Sequence, residues 1–195
     1  PALNFGWTRT DPAQPWRDAI DAPGPTRNRQ ALKNILDFWL SRGIAGFRVD
    51  MAFSLVKDEY LTEGRLASAR IWQEIREWLD TVYPDAVLIP EGDEPRVGGR
   101  RAFDADFALV IFEAHASLFD DHSAGTLPWH TPHEPFFAAE GAGSTETFLR
   151  LWEGWRAEDP ERSILLATAD PDFNRLRCGG RTPAPPGAAL TLLFT

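Results

Sequence analysis

The chain has 195 residues, 43% hydrophobic and 25% charged, enough for one sizeable domain with a hydrophobic core. A net charge of -9 argues against nucleic acid as a partner, because phosphate binding needs clustered Lys and Arg. No window approaches the roughly 18 uninterrupted apolar residues of a membrane span.

The first residue is Pro1, and the last stretch, Leu190 to Phe194, is apolar, so both ends are expected to be cuts within a longer polypeptide. Residues 1–25, rich in Pro, Asp and Gly, read as an irregular loop. Thr26 reads as the N-cap of a helix with Leu32, Ile35, Leu36, Trp39 and Leu40 on one stripe, and Gly43 stands where a helix C-cap falls. The run 43–50, GIAGFRVD, is short and alternating, as a strand is. A second helix over 65–82 aligns Ile71, Ile75, Trp78, Leu79 and Val82, and Val87-Leu88-Ile89 follows as a buried strand.

A third strand is expected near Ala105 to Ile111, followed by a loop of about thirty residues holding Trp129, His130 and His133. Ser144 would cap a helix aligning Phe148, Leu151, Trp152 and Trp155, and Ile164 to Ala167 would be a fourth strand. Strands alternating with amphipathic helices predict βαβ units, an α/β fold with a parallel sheet. No GxGxxG or GxxxxGK follows a strand, which removes the usual signature of nucleotide binding. Polar residues cluster instead at strand C-terminal ends, where a (β/α)8 TIM barrel carries its chemistry.

On the first strand, alternation puts Gly46, Arg48 and Asp50 on one face and Phe47 and Val49 on the other. Arg48 beside Asp50 would keep the carboxylate ionised, as a nucleophile requires, although a purely structural Arg–Asp pair reads equally well from this segment. On the second strand, Val87, Ile89 and Glu91 share a face. Strands about 4.8 Å apart bring such carboxylates toward the ~5–5.5 Å separation of a retaining glycosidase. An apolar strand and Pro90 would raise the pKa of Glu91 and keep it protonated as a general acid; a solvated loop acid beside Asp93 and Glu94 is the alternative. Asp170 and Asp172 end the fourth strand, as a third carboxylate or as a turn.

Taken in order, GIAGFRVDMAFSLVKD (43–58), LIPEGDEP (88–95) and LATADPDFNRL (166–176) resemble the regions around the three catalytic acids of the alpha-amylase family of glycoside hydrolases. PALNFGW (1–7) resembles the stretch which that family carries after its third strand. The resemblance implies one partial catalytic domain over 1–195, a (β/α)8 barrel present as about strands four to seven. It implies Asp50 as nucleophile, Glu91 as general acid/base and Asp172 as transition-state stabiliser, with Arg48, Phe53, Asp170 and Arg175 binding substrate. The reaction would be retaining cleavage at α-glucosidic bonds of α-glucosides or malto-oligosaccharides, with a carbohydrate as partner and no cofactor. A transglycosylase or isomerase of the trehalose synthase kind is a close rival, and a sugar-binding barrel without turnover is another.

Three departures from the family pattern stand out: Pro171 replaces a His before the third acid, Gly92 and Asp93 replace an aromatic, and Phe53 and Ser54 replace a Lys-His pair. A complete barrel needs about 250 residues, so the segment alone is expected to be poorly stable and inactive. His130 and His133 lack a placed carboxylate and make no metal site. Among the tryptophans, Trp7, Trp16 and Trp129 stand in loops as sugar-stacking candidates, while Trp39, Trp78, Trp152 and Trp155 read as core. One cysteine, Cys178, allows no internal disulfide, reads as a bystander and favours the cytoplasm; the oligomeric state is not legible.

Overall fold

A computed structural model describes residues 3–58, 62–91, 102–106, 114, 117–119, 135–137, 143–158, 160–161 and 163–165. They fall in two compact units, Pro1–Asp106 and Phe107–Thr195. In the first, a helix α1 (Pro23–Leu40), a strand β1 (Gly46–Val49), a second helix α2 (Thr62–Val82) and a strand β2 (Val87–Pro90) follow one another. The strands are parallel, with Gly46 beside Val87 and Val49 beside Pro90. This is α/β architecture with a helical crossover, as the alternating pattern predicts.

Helix α1 starts earlier than Thr26. Pro23 takes its first position, where a missing N–H loses nothing and the fixed φ favours the helix. Thr26 instead turns its hydroxyl back to the Asp21 carbonyl at 3.4 Å. The C-cap is Ser41, and Gly43, at φ 91°, reverses the chain toward β1. The expected stripe also divides. Leu36 and Leu40 are buried and Leu32 packs against them, whereas Ile35 and Trp39 are exposed, together with Phe38. The apolar arc of α1 is simply wider than the strip its neighbours cover. Trp39 is therefore not core.

Helix α2 likewise begins at Thr62 rather than 65. Ile71, Ile75 and Leu79 are buried, Trp78 is partly buried, and Val82 at the helix end is exposed. Burying Ile75, Leu79 and Leu88 contributes about 1.5–3 kcal/mol each. Trp72, absent from the expected stripe, is buried against Phe103 and donates its indole N–H to the Ala52 carbonyl at 2.9 Å. The Ser68 hydroxyl accepts the Val56 N–H at 2.9 Å. Two buried bonds thus tie α2 to the turn that follows β1.

The outer side of β2 is closed by a side chain. Leu88 donates its N–H to Asp104 Oδ2 at 2.7 Å and accepts the Asp104 N–H at 2.9 Å. Arg76 steadies this link, reaching the Ala86 carbonyl at 2.9 Å and Asp104 at 3.3 Å. Of the expected third strand, only Ala105 and Asp106 are described, and Asp106 is a bridge residue.

In the second unit, a helix α3 (Glu146–Glu158) begins where Ser144 accepts the Glu146 N–H at 3.1 Å. Phe148 and Trp155 are buried and Trp152 stacks on Phe148. Ala114 and residues 117–119 are helical, so the expected thirty-residue loop is not structureless throughout. Phe137 stacks on Phe119 with ring centres 5.3 Å apart. Ile164 lies in a bridge, while 166–167 of the expected fourth strand lie outside the described residues.

Candidate active site

Asp50 and Glu91 each stand one residue beyond a paired position, Val49 and Pro90. The Glu91 N–H continues the ladder by donating to the Val49 carbonyl at 2.7 Å. Alternation then carries both carboxyls to the same side of the sheet. Arg48, on the same face, joins them: Nη1 binds Asp50 Oδ1 at 2.6 Å and Nη2 binds Glu91 Oε1. One guanidinium fork grips two carboxyls.

The two acids have different surroundings. The Asp50 side chain is 70% exposed and that of Glu91 17%. A hydrogen bond from Glu91 holds the Asp50 carboxyl below its ordinary value of 3.8; burial opposes this and Arg48 reinforces it. Glu91 moves the other way, above 4.5, raised first by burial and then by its bond to Asp50 against the pull of Arg48. Of the two, Glu91 therefore keeps its proton to higher pH than Asp50. Their direct hydrogen bond makes this pair closer than the ~5–5.5 Å expected for a retaining arrangement.

Met51 is a participant that sequence reasoning missed. It adopts a left-handed conformation, φ 49° and ψ 38°, and its N–H points to Glu91 Oε2 at 3.4 Å. Nothing in its residue type announces this, since only Gly, Asn and Asp favour such backbone. The turn bends the chain out of β1 and starts the short 3-10 segment Ala52–Ser54. Phe53 there is half-buried, with the Arg65 guanidinium 5.4 Å above its ring.

Asp170, Asp172, Arg175, Pro171, Trp129, His130, His133 and Cys178 lie outside the described residues. Of the stacking candidates, Trp16 is 61% exposed, and Trp7 is half-buried with Arg17 4.5 Å over its ring. Two cavities bounded by described residues lie away from the acids, and neither is lined by Arg48, Asp50 or Glu91. Among the described residues there is no cluster of three potential metal ligands, and no helix is long and apolar enough to cross a membrane.

No protein-family model matches the chain, and no curated protein does. Solved structures do. Two crystal structures of a debranching enzyme from Nostoc punctiforme, one soaked with acarbose, each superpose with a TM-score of 0.52 at 23% identity. Each match covers 78% of this chain and 30% of the enzyme chain. The chain thus spans under a third of the length of that enzyme, and what the two share is the fold of that portion.

Proposed function

We propose that the protein is a retaining glycoside hydrolase acting on α-glucosidic bonds of α-glucosides or malto-oligosaccharides, its chain forming part of a (β/α)8 barrel. The observation that carries this reading is the Arg48 fork joining two carboxyls of opposite acidity shift at the ends of adjacent parallel strands. The fold shared with a debranching enzyme supports it. Asp50, ionised, attacks the anomeric carbon; Glu91, protonated, gives its proton to the leaving oxygen. Water deprotonated by Glu91 then releases the sugar from Asp50.

In the full-length protein, Asp50→Asn and Glu91→Gln each lower turnover of an aryl α-glucoside, Glu91→Gln by roughly a hundredfold to ten-thousandfold. A fluorinated glucosyl inhibitor leaves its sugar on the peptide carrying Asp50. Appreciable turnover by both variants overturns the assignment. Contact between the two carboxyls favours a second reading, a barrel that binds sugar without cleaving it, because a glycosidic oxygen fits between the acids only after they separate. Sugar binding without inhibitor labelling decides for it.

A further inference from the structure

Met51 holds the most unusual backbone near the two acids. Among the described residues it is the only non-glycine one at positive φ, left-handed at φ 49° and ψ 38°. A residue with a Cβ disfavours that conformation, which persists only where its surroundings over-determine it. The Met51 N–H faces Glu91 Oε2 at 3.4 Å, so the conformation of this one residue decides whether the carboxyl meets a backbone donor.

Ser54 supplies the restraint. Its N–H donates to the Met51 carbonyl at 3.0 Å, and its hydroxyl donates to the same oxygen at 3.0 Å. Rotating that carbonyl away breaks both bonds at once. Ser54 is held in turn from its far side, where Lys57 Nζ donates to the Ser54 carbonyl at 2.7 Å. Lys57 is pinned through its own backbone: its N–H donates to the Gly6 carbonyl and its carbonyl accepts the Thr8 N–H, each at 3.0 Å. Asp58 adds the Thr8 hydroxyl at 3.0 Å and the Gly64 N–H at 3.1 Å. A line of bonds thus runs from residues 6–8 and the first turn of α2, through Lys57, Ser54 and Met51, to Glu91.

A serine hydroxyl bonding a carbonyl three residues back is a common local contact. Here the residue it grips is the left-handed one, and the N–H of that same residue meets the carboxyl. We propose that Ser54 is a positioning residue for the acid pair, its hydroxyl locking Met51 so that the Met51 N–H stays aimed at Glu91. Its effect on turnover rests on the glycosidase reading; the geometry stands apart from it. Burial and the bond to Asp50 raise the Glu91 pKa, and Arg48 and the Met51 N–H oppose them. Loss of that N–H therefore moves Glu91 further up.

The test is nitrogen-15 NMR of the full-length protein labelled at methionine, the Met51 amide being identified by its absence in Met51→Leu. Its shift is expected to follow the titration of Glu91. In Ser54→Ala, a change at a half-buried side chain outside the apolar core, this inflection loses amplitude and moves to higher pH. In Ser54→Thr, which keeps a hydroxyl on the same carbon, it returns to its wild-type place. With an aryl α-glucoside, kcat falls about tenfold in Ser54→Ala while KM holds. An inflection unchanged in Ser54→Ala, or displaced equally in Ser54→Ala and Ser54→Thr, overturns the proposal, as does a wild-type kcat in Ser54→Ala of an active enzyme. Should the wild type itself not turn over the glucoside, the glycosidase reading fails, and the amide titration still decides whether Ser54 positions Met51.

Discussion

Gly46 lies so close to Val87 that a Cβ on it would stand 2.9 Å from the Val87 carbonyl carbon and nearer still to its oxygen. These residues form the first registered pair of β1 and β2, and everything up to Asp50 and Glu91 inherits their spacing. Gly46→Ala has no flexible side chain to push aside, only backbone. It is expected to destabilise the protein by about 3 kcal/mol or more, read as a lower denaturant midpoint, and to abolish turnover in whatever fraction still folds.

Arg48 draws both carboxyls toward ionisation. With Asp50 held below 3.8 and Glu91 above 4.5, a bell-shaped rate profile is expected, its acid limb set by Asp50 and its basic limb by Glu91. Arg48→Met removes the cation, so both limbs move to higher pH while the maximum falls. The kcat/KM profile of wild type and variant checks this. Limbs that stay in place would show that Arg48 positions the acids without tuning them.

Those opposite displacements were largely legible in the sequence, though not their ranking. An Arg two residues before Asp50 and an apolar strand before Glu91 announce the directions. That the bond from Glu91 outweighs Arg48 at Asp50 is a non-local fact, visible only once register is known. The same limit appears in α1, where periodicity marks Ile35, Leu36, Trp39 and Leu40 as apolar but not which of them meet β1 and α2. Asp104, capping a strand edge from sixteen residues away, carries no pattern at all.

Trp72 anchors α2 to the turn behind Asp50 through the Ala52 carbonyl. Trp72→Phe keeps most of the ring and removes the donor, stranding a fully buried carbonyl. A loss of about 1–3 kcal/mol in unfolding free energy is expected. Because Ala52 follows Met51, the N–H that Met51 offers Glu91 should shift as well, and kcat should fall with little change in KM.

Tyr83 donates its hydroxyl to Asp37 Oδ1 at 2.7 Å, which, with some desolvation, holds the phenol above 10.0. A folded value above the unfolded one gives stability that is present below 10.0 and lost as pH rises through the raised value. Asp37→Asn is expected to bring the phenol back toward 10.0. Ultraviolet titration of phenolate resolves it, with Tyr60 as the other tyrosine signal.

Asp104 has an effect outside its own molecule. A bare strand flank invites the backbone of a second copy to zip onto it, the first step of many aggregates. At Leu88 both the donor and the acceptor of that flank are already engaged by a single acidic residue, whose charge would also repel an incoming chain. At that position, the most apolar strand described in this protein is thereby shielded from intermolecular growth on its outer side.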